Sequence, residues 1–365
     1  MKSFKGKKAL VTGHTGFKGS WLSTWLSKLG ATVTGVSDRV PTEPSHYELV
    51  KQCLFKDLRM NLSDGHGVME LLKAERPDFI FHLAAQPIVL ESYEDPLGTI
   101  QTNCMGTANV LEGLRKADFP CVVVLVTSDK SYDNLERREG YKEDDRLGGK
   151  DPYSGSKGAT ELIIRCYFES FFNSLDCRIK LGVGRAGNVI GGGDWAPSRI
   201  VPDCVRAWAE GSVPQIRSPF STRPWQHVLE PLGGYLSLAR KLSYSPATSG
   251  EAFNFGPFEK DDRTVSDLIW EMLKHWPGKD WEDVSSQETG PYEANLLKLD
   301  CEKAQKHLEW RSTLGFDETA EWTCQWYRTF YEEGFDRAFD LTSEQIEQYM
   351  ILSEERCSMP SFSNG

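Results

Sequence analysis

A short apolar run, Lys8-Ala9-Leu10-Val11-Thr12, leads directly into Gly13-His14-Thr15-Gly16-Phe17-Lys18-Gly19, and an amphipathic stretch beginning Trp21-Leu22-Ser23-Thr24-Trp25-Leu26 follows. This order constrains the fold more than any other feature of the chain. A buried strand, a glycine turn and a helix form the opening unit of a doubly wound parallel sheet. Glycines at such a turn let the backbone approach a pyrophosphate, and the helix N-terminus adds N–H donors and the positive end of its dipole. The spacing is GxxGxxG, which alone is only a tight turn. Its place between strand and helix gives it a ligand.

The same alternation continues. Ala31-Thr32-Val33-Thr34-Gly35-Val36, the run from Asp78 to Leu83, Cys121-Val122-Val123-Val124-Leu125-Val126 and Ile179-Lys180-Leu181-Gly182-Val183 read as strands, with helices expected over Thr107 to Lys116 and Ser156 to Ser174. Near-continuous apolar strands joined by helices imply a parallel sheet covered on both faces. From about Gly187 the texture changes to loops punctuated by Gly191-Gly192-Gly193, Pro197, Pro202, Pro214, Pro219 and Pro224, and Trp322, Trp326 and Phe330 mark the inward side of a helix over Glu318 to Glu332. The expected fold is α/β: a Rossmann-type doubly wound parallel sheet over residues 1–187, with a return segment near 228–255, and a smaller mixed α/β substrate-binding domain over 188–365.

Composition narrows the partners. The 365 residues carry a formal charge of −11, which disfavours nucleic acid and anionic membrane surfaces as partners. No run approaches the ~20 apolar residues of a spanning helix. The nine cysteines include no CxxC pair and read as reduced thiols of a soluble, cytoplasmic protein. The seven histidines show no HxxH or HExxH spacing, so no metal is expected.

Two further features carry chemistry. Asp38, at the end of the second strand, can accept both ribose hydroxyls of an NAD adenosine and repel a 2′-phosphate, while Arg39 beside it leaves room for NADP. Tyr153-Ser154-Gly155-Ser156-Lys157 places a phenol and an ammonium one helical turn apart. An ammonium near a phenol, beside the positive nicotinamide ring of a bound NAD, favours phenolate and makes Tyr153 a usable base.

Together these residues resemble the extended short-chain dehydrogenase/reductases, which include nucleotide-sugar epimerases and dehydratases. The resemblance rests on Gly13, Gly16 and Gly19, Asp57-Leu58-Arg59, His82-Leu83-Ala84-Ala85-Gln86, the segment from Asn103 to Asn109, Thr127-Ser128, Tyr153 with Lys157, and Arg185-Ala186-Gly187-Asn188. It implies NAD as cofactor, held by Gly13, Thr15, Gly16, Phe17, Gly19, Asp38, Arg39, Asp57, Leu58, Leu83, Ala84, Ala85, Gln86, Thr102, Tyr153 and Lys157. It implies that Tyr153 takes the proton of a sugar C4 hydroxyl, with Ser128 on the same oxygen. The dehydratases acting on dTDP-glucose carry an Asp-Glu pair after that serine. Asp129-Lys130 here resembles the branch acting on CDP-glucose, with Asp129 as the acid for the C6 hydroxyl and Lys130 as the C5 base.

In the second half, Asn188, Arg199, Arg217, Arg223, Trp225 and His227 are the expected contacts to the nucleotide diphosphate. Ala196-Pro197-Ser198-Arg199 departs from the family pattern, which has an aspartate directly before the arginine, so the carboxylate partner of Arg199 is missing locally. The expected substrate is CDP-glucose. An epimerase or dehydratase of a GDP-, dTDP- or UDP-linked sugar and a non-catalytic NAD-binding protein are the alternatives. A homodimer or homotetramer is expected by the same resemblance.

Overall fold

The computed structural model describes residues 2–257, 263–286 and 296–358. One parallel sheet of seven strands organises them. Its strands are β1 (Lys8–Thr12), β2 (Thr32–Ser37), β3 (Lys56–Arg59), β4 (Phe79–His82), β5 (Cys121–Val126), β6 (Ile179–Ala186) and β7 (Ala252–Phe255). The spatial order is β7-β6-β5-β4-β1-β2-β3, with every neighbouring pair parallel. The chain builds outward from β1 to β3 and then crosses back to β4 on the other side of β1. The crevice where the order reverses lies at the carboxyl ends of β1 and β4, the place where such sheets bind ligands.

The helices that cover the sheet or extend it are α1 (Phe17–Lys28), α2 (Gly65–Glu75), α3 (Gly106–Arg115), α4 (Pro152–Tyr167), α5 (Ile200–Ala209), α6 (Leu229–Tyr244), α7 (Val265–His275), α8 (Phe316–Glu333) and α9 (Phe335–Ser358). Side chains alternate along each strand and fill two cores. Leu10, Ile80, Val123 and Leu125 pack with Val68, Leu72, Val110, Leu111 and Ile164 of α2, α3 and α4. Val11, Phe81 and Val124 face the other way, toward Trp21, Trp25 and Leu26 of α1 and Leu232 of α6. Trp25 is 1% exposed, and truncating such an indole to alanine costs about 3–5 kcal/mol.

Two elements differ from the expected ones. β3 has no apolar run to reveal it: it is an edge strand of Lys56-Asp57-Leu58-Arg59, largely exposed, and charged residues are how edges resist unwanted pairing. The helix expected from Ser156 begins earlier, at Pro152, because the Asp151 side chain accepts from Ser154 N and Pro152 occupies the first turn. It ends at Tyr167 and continues as a π-type turn over Phe168–Phe172. Tyr153 therefore sits in the capped first turn.

Beyond β6, short ladders hold the loops. Val189–Ile190 pairs with Gln226–His227, and Thr222–Arg223 pairs antiparallel with Arg263–Thr264. Trp326 of α8 is fully buried and stacks on Phe330 at 5.8 Å. Among the described residues no helix is long and apolar enough to cross a membrane, and the eight cysteines described are free thiols.

Candidate active site

The glycine turn is built so that backbone meets backbone. Gly13 has φ +75°, and a Cβ there would lie 2.7 Å from Ala84 N. A Cβ on Gly19 would lie 2.1 Å from the Gly13 carbonyl oxygen, so α1 can start this close to β1 only with glycine. Gly16 is the N-cap of α1 and offers no side-chain acceptor, which leaves the first-turn N–H groups to an outside anion. Thr15 ties the turn to the end of β2: its Oγ1 donates to Arg39 O at 2.6 Å and its N–H to Ser37 Oγ at 3.3 Å. Leu83 and Ala84 abut the turn at Gly13, and Phe17 and Ala85 are half-buried like them. A diphosphate and its ribose fit this cradle.

The remaining expected cofactor residues divide. Asp38 and Arg39 are exposed beyond β2, with Asp38 Oδ1 accepting from Arg39 N at 2.8 Å. The Asp57 carboxylate is engaged by the protein itself. It bonds the buried His14 Nε2 at 2.8 Å, the Tyr47 hydroxyl and the Arg59 guanidinium. Burial would raise Asp57, but the bonds from Tyr47, His14 and Arg59 together hold it below the usual carboxylate range. Leu58 is half-buried beside it. Gln86 turns inward, its Nε2 donating to Thr99 Oγ1 at 2.9 Å and to Ile88 O at 3.0 Å. Thr102 is exposed on a π-type turn, whereas its neighbour Asn103 is buried and donates from Nδ2 to Ser156 Oγ at 2.8 Å.

The catalytic candidates converge at the ends of β5 and α4. Ser128 Oγ donates to Asp129 Oδ1 at 2.9 Å and accepts from Lys130 N at 3.2 Å. Ser128 also bears on the Tyr153 phenol and favours its ionised form. The ammonium groups of Lys130 and Lys157 each lie 5.9 Å from the Tyr153 ring centroid. Burial pushes the Tyr153 phenol up to about 12, with Ser128 and Arg199 opposing and Asp129 adding to the rise. Burial also lowers Lys157 to about 8, with Glu161 opposing. Asp129 is raised, chiefly by burial, against Lys130, Ser128 and Lys18. A Cβ on Gly187 would come 2.9 Å from Asp129 Oδ2 and 3.1 Å from Pro224 Cγ, which brings the start of the substrate loops, Asn188 included, against this turn.

Three participants were not visible as such in the sequence. Lys18 projects from the glycine turn into this centre: burial lowers it to about 8, Asp129 opposes, and Arg199 and Lys157 add to the lowering. Arg199 finds its carboxylate in Asp194, at 2.6 Å, so the partner lost from the local pattern lies five residues upstream. Beneath the centre, Glu161 accepts both Arg185 Nε and Nη2 at 2.8 Å and the Thr127 hydroxyl. Arg185 also donates to Tyr132 OH at 2.8 Å, and Tyr132 OH to Asn254 Oδ1 at 2.8 Å. This network locks β5, α4, β6 and β7 behind the reacting groups.

The expected substrate contacts separate into different places. Arg199 belongs with Tyr153 and Lys18. Arg223 and Trp225 line a cavity of about 210 Å³ with Arg263, Lys298 and residues 312–316. Arg263 lies opposite Arg223 across the ladder, and its buried Nε has no partner among the described residues. Arg217 is exposed and faces Asp203. His227 is not a ligand contact here. It is fully buried, edge-on to Trp21 at 6.0 Å and Trp322 at 5.8 Å, and burial lowers it to about 3. Aromatic packing has claimed that position.

Residues 10–323 match the sequence profile described as GDP-mannose 4,6 dehydratase, and the chain belongs to that family, a branch of the extended short-chain dehydrogenase/reductases. It is 43% identical over 332 residues to the CDP-glucose 4,6-dehydratase of Salmonella typhimurium, covering 90% of this chain and 92% of that protein. The UDP-glucose 4-epimerase of Thermotoga maritima superposes with a TM-score of 0.77 at 21% identity, over 89% of this chain and 100% of that one. The dTDP-glucose 4,6-dehydratase of Bacillus anthracis, solved with NAD, gives 0.75 at 22% identity over 90% and 98%.

Proposed function

We propose that the protein is an NAD-dependent hydro-lyase that converts CDP-D-glucose to CDP-4-dehydro-6-deoxy-D-glucose and water. The observation that carries this reading is the Ser128-Asp129-Lys130 turn packed against Tyr153 and Lys157, in a chain 43% identical to a CDP-glucose 4,6-dehydratase. Residues 1–187 with the return near 228–255 are assigned mainly to the cofactor, and the rest of 188–365 mainly to the sugar nucleotide.

NAD, held at the Gly13–Gly19 turn and by Lys157, would supply the hydride acceptor for C4 and the hydride donor for C6. Tyr153 accepts the C4 hydroxyl proton, and Ser128 holds the same oxygen. A ketone at C4 acidifies C5–H; Lys130 takes that proton and gives one back to C5 when the hydride reaches C6. Asp129, kept protonated more readily by its burial, gives a proton to the departing C6 hydroxyl. Lys157 is assigned to the nicotinamide ribose. Lys18 supports the charge balance around Asp129. Arg223 and Arg263 take the diphosphate, since guanidinium groups grip phosphate oxygens in pairs.

The test is incubation with CDP-, dTDP-, GDP- and UDP-glucose while following the 4-keto product. Clear preference for a nucleotide other than CDP contradicts the base assignment. A homodimer is proposed through the apolar face of Leu90, Tyr93, Leu97, Ile100, Leu162 and Phe171, all exposed in the single chain. Sedimentation of Leu97→Lys should show monomer if that face is the interface.

A further inference from the structure

The wall of the Arg223–Arg263 cavity is held by a carboxylate that the reaction does not use. Glu230, in the first turn of α6, is fully buried. Its Oε1 accepts from Leu314 N at 2.6 Å, and its Oε2 accepts from Thr313 N at 2.9 Å and Tyr349 OH at 2.8 Å. The same loop is gripped from the other side by α9: Arg356 donates to Thr313 O and pairs with Glu318 at 2.7 and 2.9 Å. Glu318 in turn accepts from Gly315 N at 2.9 Å.

What this clamp positions is the cavity itself. Residues 312–316 form one wall of it. Phe316, the last of them, lies under the Arg263 guanidinium at 5.2 Å, and Arg263 stands opposite Arg223. We infer that Glu230 is a positioning residue for the sugar nucleotide, acting through the 313–316 loop and Phe316 on Arg263 without touching the ligand. The inference rests on the reading of this cavity as the nucleotide site.

The groups facing Glu230 give the inference a pH signature. They are Tyr349 and Arg356 from α9 and the N–H groups of residues 313 and 314, while Glu318 of α8 and Glu355 act on Arg356 in turn. Burial raises Glu230 to about 7, opposed by Leu314, Thr313, Tyr349 and Arg356. The carboxylate is lost as pH falls through that value, and with it the charge-assisted bonds to the loop.

KM and kcat for CDP-glucose should be measured from pH 6 to 8.5 for the wild type, Glu230→Gln and Tyr349→Phe. The wild type is expected to show KM rising several-fold toward pH 6 with kcat following a different curve. Glu230→Gln should carry a KM about tenfold higher, the size of one charged hydrogen bond, and lose that pH dependence. Tyr349→Phe, the milder change, should raise KM about threefold at pH 8 with kcat kept. An unchanged KM in Tyr349→Phe, or a Glu230→Gln profile parallel to the wild type, overturns the role even where Glu230→Gln folds poorly. Calorimetry with CDP alone separates the two layers. If CDP binds the wild type and the variants equally, the positioning role fails. If CDP does not bind the wild type, the nucleotide reading of the cavity fails, and this inference with it.

Discussion

The glycine turn and the Arg223–Arg263 cavity are the two sites proposed for anions, and they are built in opposite ways. The turn is nearly all backbone, made within seven consecutive residues between β1 and α1, where Gly13 and Gly19 exclude side chains so that main-chain groups can face the ligand. The cavity gathers Arg223, Trp225, Arg263 and Phe316 from separate stretches, residues 222–225, 257, 263, 296–299 and 312–316. Local geometry makes the first. Only the completed fold makes the second. A backbone site is therefore intolerant of added atoms, and a side-chain site should fail gradually, one contact at a time.

That contrast can be broken. The largest effect is expected for Gly19→Ala, whose methyl meets the Gly13 carbonyl at 2.1 Å. Separating α1 from β1 should cost at least about 1–3 kcal/mol and also weaken NAD retention, read by thermal unfolding with and without added NAD. An unaltered melting temperature with normal NAD binding would show that the turn is not the tight element described. Next in size, Arg263→Met should raise KM for the sugar nucleotide about tenfold while leaving the melting temperature and kcat close to wild type. A stability loss as large as that of Gly19→Ala would erase the distinction between the two sites.

The smallest effect concerns charge. Burial lowers Lys157 and Lys18 from 10.5 to about 8 in the folded protein. The unfolded chain then holds more protons than the folded one between about 8 and 10.5, so stability of the ligand-free protein should rise with pH across that window and be flat in this respect below it. Each group contributes at most about 1.4 kcal/mol per pH unit. Lys157→Met should remove about half of the slope, measured from urea midpoints between pH 7.5 and 9.5. The same slope in the variant would place Lys157 in water.

How far the sequence could be read follows from the same difference. The strand–turn–helix order and the Tyr153–Lys157 spacing were legible because each is a local pattern with a local cause. Asp57 was legible as a motif residue, but not its engagement by His14 and Tyr47, which reach it from different segments. Asp194 as the partner of Arg199, and Arg263 opposite Arg223, depend on loops whose course no periodicity reports. His227 shows the converse error: an imidazole in a loop-rich stretch suggested a ligand, whereas Trp21 from α1 and Trp322 from α8 close over it. β3 escaped notice because an exposed edge strand need not be apolar.

The central claim is that the Ser128-Asp129-Lys130 turn and Tyr153 together remove water across C5–C6 of a CDP-linked sugar. Incubation of CDP-glucose with the protein in D2O, followed by mass spectrometry and proton NMR of the product, tests it most directly. The account predicts a 4-keto-6-deoxy sugar carrying one solvent deuteron at C5 and the hydrogen from C4 at C6. A C4 epimer that keeps its C6 hydroxyl, or recovered CDP-glucose with no product, would contradict it.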